Sequence, residues 1–65
     1  MVTVSHIVKK IVSEQAFVEE GLANGIISVG NLAEQIQPKI ERELNKKIKI
    51  PAIVMALRRY SDKIS

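Results

Sequence analysis

The chain has no cysteine and no tryptophan, and only one phenylalanine, one tyrosine and one histidine among its 65 residues. Without cysteine, neither a disulfide nor a thiolate metal site can hold so short a chain together. His6 stands without a second histidine or any cysteine, and structural zinc takes four ligands, so no metal site is expected. No cofactor motif is present either. The three glycines, at positions 21, 25 and 30, fit neither the dinucleotide fingerprint nor the Walker loop, and no serine stands in a GxSxG elbow. Glu19 and Glu20 are adjacent, which on a helix turns them about 100° apart, so they do not converge as an acid–base pair. The expectation is a protein that is not an enzyme. No run approaches the ~20 uninterrupted apolar residues that cross a bilayer. The N-terminal stretch MVTVSHIVKKIVSE carries Lys9 and Lys10 inside its apolar pattern and lacks a small-residue cleavage site. No membrane association is expected, and the cytoplasm is the default location.

What the chain does hold is aliphatic. Hydrophobic residues make up 46%, enough for a packed core and too many for a disordered segment. Sixty-five residues make a single small helical domain, 1–65, near the lower size limit for a self-supporting core. Support from a second copy (a homodimer) or from an adjacent domain is therefore expected. The net charge of +3 is unevenly spread. Residues 1–37 set two lysines against four glutamates, for −2, while residues 38–65 set eight lysines and arginines against three acids, for +5. A basic second half suits nucleic acid or another acidic partner, or else a solvated lysine surface.

Apolar spacing predicts five short helical segments. The first runs from about Val4 to Val12, with Ile7, Val8, Ile11 and Val12 as its stripe. Ser13 caps a second, carrying Phe17, Val18 and Leu22 inward and ending at Asn24-Gly25, where Gly25 supplies a left-handed turn and Ile26 folds back. Ser28 caps a third, with Val29, Leu32, Ala33 and Ile36, and Pro38 should stop or kink it. Pro38 in turn suits the start of a fourth, with Ile40 and Leu44 inside. Ile48 and Ile50 alternate with lysines in an extended linker, and Pro51 opens the last helix. Ser5 is a further capping residue, and Gly21 and Gly30 are read as points of close helix contact. The expected core is Val8, Ile11, Phe17, Leu22, Leu32, Ile36, Ile40, Leu44, Ile53, Leu57 and Tyr60. The fold class is all-α, a compact bundle of four to five short helices with a helix-turn-helix-like core.

That core is read from two segments. ISVGNLAEQI, residues 27–36, has the capping serine and Leu-Ala centre of a supporting helix, and the segment from Pro51 has the place of a recognition helix. Between them the sequence inserts a predicted helix and linker, longer than the usual connection. On the last helix, Ala52, Met55, Arg58, Arg59 and Asp62 lie opposite the apolar stripe. Its first exposed positions, Pro51, Ala52 and Met55, offer no hydrogen bonds to base edges. Lys46, Lys47, Lys49, Arg58, Arg59 and Lys63 can instead grip phosphates, which makes DNA a candidate partner. Val54 and Met55 extend the apolar surface beyond one stripe, which suits a protein interface. Two functions stand: a noncatalytic regulatory module binding DNA, or a protein-interaction or dimerisation module.

The stretch FVEEGLANGIISVGNLAEQIQPKIERELNKKIKIPAIVMALRRY, residues 17–60, resembles a helical module of uncharacterised archaeal and bacterial regulator-like proteins. The resemblance lies in the acidic helix ending in a turn, in LAEQIQPKIERELNKK and in AIVMALRRY. It implies a helix-turn-helix-like fold preceding an ACT-like domain that senses a small ligand, which would make residues 1–65 the N-terminal fragment of a longer protein and the interaction module one of a multidomain ligand-sensing protein. It assigns no functional residues.

Overall fold

The computed structural model describes residues 2–64, which form four helices in chain order: α1 Val4–Ser13, α2 Ala16–Ala23, α3 Val29–Leu44 and α4 Ile50–Ile64. The all-α bundle is as expected. Five segments become four helices because Pro38 does not interrupt α3. A proline inside a helix removes one amide donor and crowds the carbonyl four residues back, at a cost of about 3 kcal/mol. Here Pro38 and Glu34 are both exposed, so water reaches the carbonyl left without its partner. Ala33, Ile36 and Ile40 meanwhile lie buried on the opposite side, and continuing the helix through Pro38 keeps all three in one stripe.

The helix ends correct two of the three capping assignments. Thr3, not Ser5, caps α1, its hydroxyl accepting from the His6 amide at 3.2 Å. Ser13 does not open α2; it is the last residue of α1, and its hydroxyl donates to the Lys10 carbonyl. α2 begins only after extended Gln15. Ser28 caps α3 as expected, accepting from the Asn31 amide at 3.4 Å. The end of α2 is a Schellman motif: the Ile26 amide reaches the Gly21 carbonyl at 2.9 Å, and the Gly25 amide reaches that of Leu22 at 3.3 Å. Gly25 takes the left-handed conformation this needs, at φ +75°. It is Ile27, not Ile26, that folds back: a Cβ on Gly21 would stand 2.6 Å from the Ile27 Cδ1, whereas Ile26 is 80% exposed. A Cβ on Gly30 would meet only the Ser28 hydroxyl, at 3.9 Å, so Gly30 marks no close helix contact.

The buried core comprises Ile7, Val8, Ile11 and Val12 of α1, Leu22 of α2, Leu32, Ala33, Ile36 and Ile40 of α3, and Ile53, Ala56 and Leu57 of α4, joined by Ile48. Leu44 and Tyr60 are half-buried against it. Phe17 is not in the core at all, being 89% exposed. With Leu22 and Gly21 buried in α2 and Ile27 filling the space beside Gly21, Phe17 in the first turn is left facing water. No polar or charged residue is buried among the described residues.

Ile48 belongs to the linker, residues 45–49, yet its side chain is buried. Its amide donates to Glu41 Oε2 at 2.9 Å, and its carbonyl accepts from Gln37 Nε2 at 2.8 Å. Gln37 and Glu41 are one turn apart on α3, so both backbone groups of Ile48 are held from a single helix face. Asn45 makes the turn before it at φ 53°, a left-handed conformation asparagine tolerates better than most residues. Glu41→Ala should cost about 1–3 kcal/mol in urea unfolding, because a half-buried amide loses a charged acceptor. Phe17→Ser should cost less than about 0.5 kcal/mol in the same measurement, as expected for a surface change, where a buried phenylalanine would cost several.

Candidate functional site

α4 touches each of the other three helices, so its outward residues mark the edges of every groove it forms. Its inward side is Ile53, Ala56 and Leu57, fully or almost fully buried, with Tyr60 and Val54 half-buried beside them. Ala52, Met55, Arg58, Arg59 and Asp62 are exposed, as the helical spacing predicts. Met55 is 60% exposed, whereas Val54 packs against the core.

The six basic residues proposed to contact nucleic acid are all exposed, but they do not form one patch. Lys46, Lys47 and Lys49 sit in the linker before α4. Lys63 lies fourteen residues beyond Lys49, about 21 Å along the helix axis at 1.5 Å per residue. Arg58 is turned about 100° from Arg59 and lies on a different flank. Arg59 and Lys63, one turn apart, come together with residues of α1 that sequence spacing did not single out.

That meeting place is a cleft of about 380 Å³ between α1 and α4, lined by Ser5, His6 and Lys9 from the first helix and Arg59, Tyr60 and Lys63 from the last, with Ala56 at its floor. Three lining side chains are cationic and none is a carboxylate. Arg59 Nη2 donates to the Ser5 hydroxyl at 3.5 Å, which orients the guanidinium across the gap. Ser5 and Lys9 share one face of α1 at a spacing of four, as Arg59 and Lys63 do on α4. That double i, i+4 pattern was visible in the sequence; which two helices face each other was not. A second, smaller groove between α1 and α3 is lined by Lys10, Lys39, Glu14 and Glu43, with its charges balanced.

One acid of α2 is tied to a residue of the cleft wall from outside the cleft. Glu19 Oε2 accepts the Tyr60 hydroxyl at 2.5 Å, tying α4 to α2, and Ser61 Oγ donates to the Leu22 carbonyl at 3.3 Å alongside. Glu20 faces water, so the two glutamates do not converge on a shared cavity. Among the described residues no three His, Asp or Glu side chains are grouped to hold a metal ion, and no helix is long and apolar enough to cross a membrane. No family model matches the chain, and no curated protein or solved structure is found similar to it.

The hydrogen bond to Glu19, with burial and the carboxylate charge adding to it, pushes Tyr60 up from 10.0 to about 12. A raised folded value means that the neutral phenol stabilises the fold. This contribution is complete below the ordinary value of 10.0 and is lost as pH rises through about 12. Tyr60 is the only tyrosine and there is no tryptophan, so ultraviolet absorbance reads its ionisation directly. The titration midpoint should lie well above 10.0 in the native protein and fall toward it in Glu19→Gln.

Proposed function

We propose that this chain is a noncatalytic regulatory module that binds DNA through its phosphates, using α4 as the contact helix of a helix-turn-helix-like pair with α3. The observation that carries the reading is the cleft lined by Lys9, Arg59 and Lys63 without a carboxylate, on the helix whose other end follows Lys46, Lys47 and Lys49. Two basic ends about 21 Å apart match roughly six base-pair steps of 3.4 Å along a duplex. The continuity of α3 supports the pairing too. It shortens the connection between the two helices to residues 45–49, where the sequence pattern had inserted a further helix. Pro51, Ala52 and Met55 at the exposed start of α4 bring no donors for base edges, so binding is to the backbone and tolerant of sequence.

A second reading, association with a protein partner or a second copy, is favoured by Phe17 at 89% and Met55 at 60% exposure. A large aromatic left in water on a 65-residue domain is unusual enough to ask what it meets.

Fluorescence anisotropy of labelled duplex DNA at several salt concentrations tests the first reading. Four to five phosphate contacts give a slope of log K against log salt of about −4, and Arg59→Ala and Lys63→Ala should each lower its magnitude by about 1. Absence of binding at low salt refutes it. Light scattering tests the second reading: a dimer that Phe17→Ser converts to monomer supports it, and a monomeric parent protein removes the second-copy form.

A further inference from the structure

We infer that the α1–α4 cleft is a receptor site for a single phosphomonoester-type dianion, gripped by Lys9, Arg59 and Lys63. The inference rests on the same reading of the cleft as a phosphate-contacting surface, and goes further in the charge and shape of what fills it. A phosphodiester along a duplex carries one negative charge, whereas a phosphomonoester carries about −1.5 to −2 near neutral pH and presents three acceptor oxygens. Three cationic side chains around one cavity match the second better than the first. Arg59 reaches across the gap to the Ser5 hydroxyl, so its guanidinium is positioned before any anion arrives. Lys9 and Lys63 each bring three donors on flexible stems and can close on the oxygens left free.

The surroundings fit the same occupant. The groove between α1 and α3 is lined by two lysines and two glutamates, whereas the α1–α4 cleft is lined by three cations and no carboxylate. Glu19, on the neighbouring α2, is engaged by the Tyr60 hydroxyl and does not line the cleft. Uncompensated like charges on facing helices weaken the bundle, and an entering dianion relieves that repulsion. At about 380 Å³ the cleft also exceeds the bare anion and leaves room for a small organic body against Ala56 and the Tyr60 ring.

The test uses inorganic phosphate as probe, with chloride at matched ionic strength as reference. Tyr60 lines the cleft and is the only tyrosine, so its fluorescence reports occupancy directly. Amide chemical shifts of Ser5, His6 and Lys9 provide a second readout. Phosphate should saturate both signals with a dissociation constant on the order of 1 mM and raise the melting temperature. Arg59→Gln and Lys63→Gln should each weaken it at least tenfold while melting no lower than the parent in chloride. Lys39→Gln, which removes a charge from the other groove, should leave phosphate binding unchanged. A short single strand with and without a 5′ phosphate separates the sources. At least tenfold tighter binding of the phosphorylated strand assigns the dianion to nucleic-acid ends. Equal binding of the two strands, with phosphate still saturating the cleft, assigns it to a free phosphorylated small molecule. A phosphate response that equals chloride, or that survives in both cleft variants, overturns the inference. Salt-dependent duplex binding that persists in that case leaves the nucleic-acid reading standing, whereas saturable phosphate with no duplex binding refutes that reading alone.

Discussion

The two hydrogen bonds that α3 makes to the backbone of Ile48 hold the rest of the fold in place. A linker residue can bury its side chain only if its own amide and carbonyl are satisfied, because an unpaired buried polar group costs about as much as a buried aliphatic side chain contributes. Gln37 and Glu41 satisfy both groups at once, at 2.8 and 2.9 Å. Ile48 can therefore enter the core, and the chain leaves it aimed so that α4 lies against the other three helices. The left-handed turn at Asn45 supplies the change of direction, and Pro51, in the first turn of α4, removes an amide that no carbonyl was placed to receive.

Much of this architecture can be read from spacing. Val4, Ile7, Val8 and Ile11 place α1, and Ile53, Leu57 and Tyr60 place the inward side of α4, because amphipathic periodicity is a local property that packing then reinforces. Gly25 closes α2 as its chemistry suggests. The errors share a cause, in that each depends on a contact distant in sequence. Pro38 looks like a helix stop until Ile36 and Ile40 are seen buried on either side of it. Phe17 looks like a core residue until Ile27 is found beside Gly21, leaving the aromatic outside. Ile48 looks like linker until its two clamping side chains are located eleven and seven residues earlier. Of the candidate site, Arg59 and Lys63 were legible as exposed cations. Ser5, His6 and Lys9 were not, since nothing local tells α1 that α4 is its neighbour.

The distribution of polarity puts every polar side chain of the described residues at or near the surface. With no charged or polar side chain buried among the described residues, the interior is held by aliphatic packing. The polar cross-links between helices lie at the rim instead, from Tyr60 to Glu19, from Ser61 to the Leu22 carbonyl and from Arg59 to Ser5. All three leave from the last two turns of α4. The end of that helix is thus pinned to α1 and α2, two of the three links being made by the cleft residues Arg59 and Tyr60, and the helix packing sets the spacing between the cationic groups in advance.

Pinning and charge act against each other in this region. Arg59 and Lys63 stand one turn apart on α4, a like-charge spacing that disfavours an isolated helix by about 0.2–0.5 kcal/mol, and Lys9 adds a third positive charge across the gap. A sequence shaped only for stability would place a glutamate at one of these positions, as it does in the neighbouring groove with Glu14 and Glu43. The Tyr60–Glu19 bond shows that a carboxylate is within reach of this end of α4, yet it is directed to a phenol rather than to the cations. A carboxylate turned into the cleft would neutralise the positive potential that draws an anion in. Held against Tyr60, it fastens α2 to α4 and leaves Lys9, Arg59 and Lys63 to the solvent side. The arrangement gives up some helix stability at one end of the bundle and gains a concentrated positive potential there, and the aliphatic packing around Ile48 and Leu57 is what lets a domain this small sustain it.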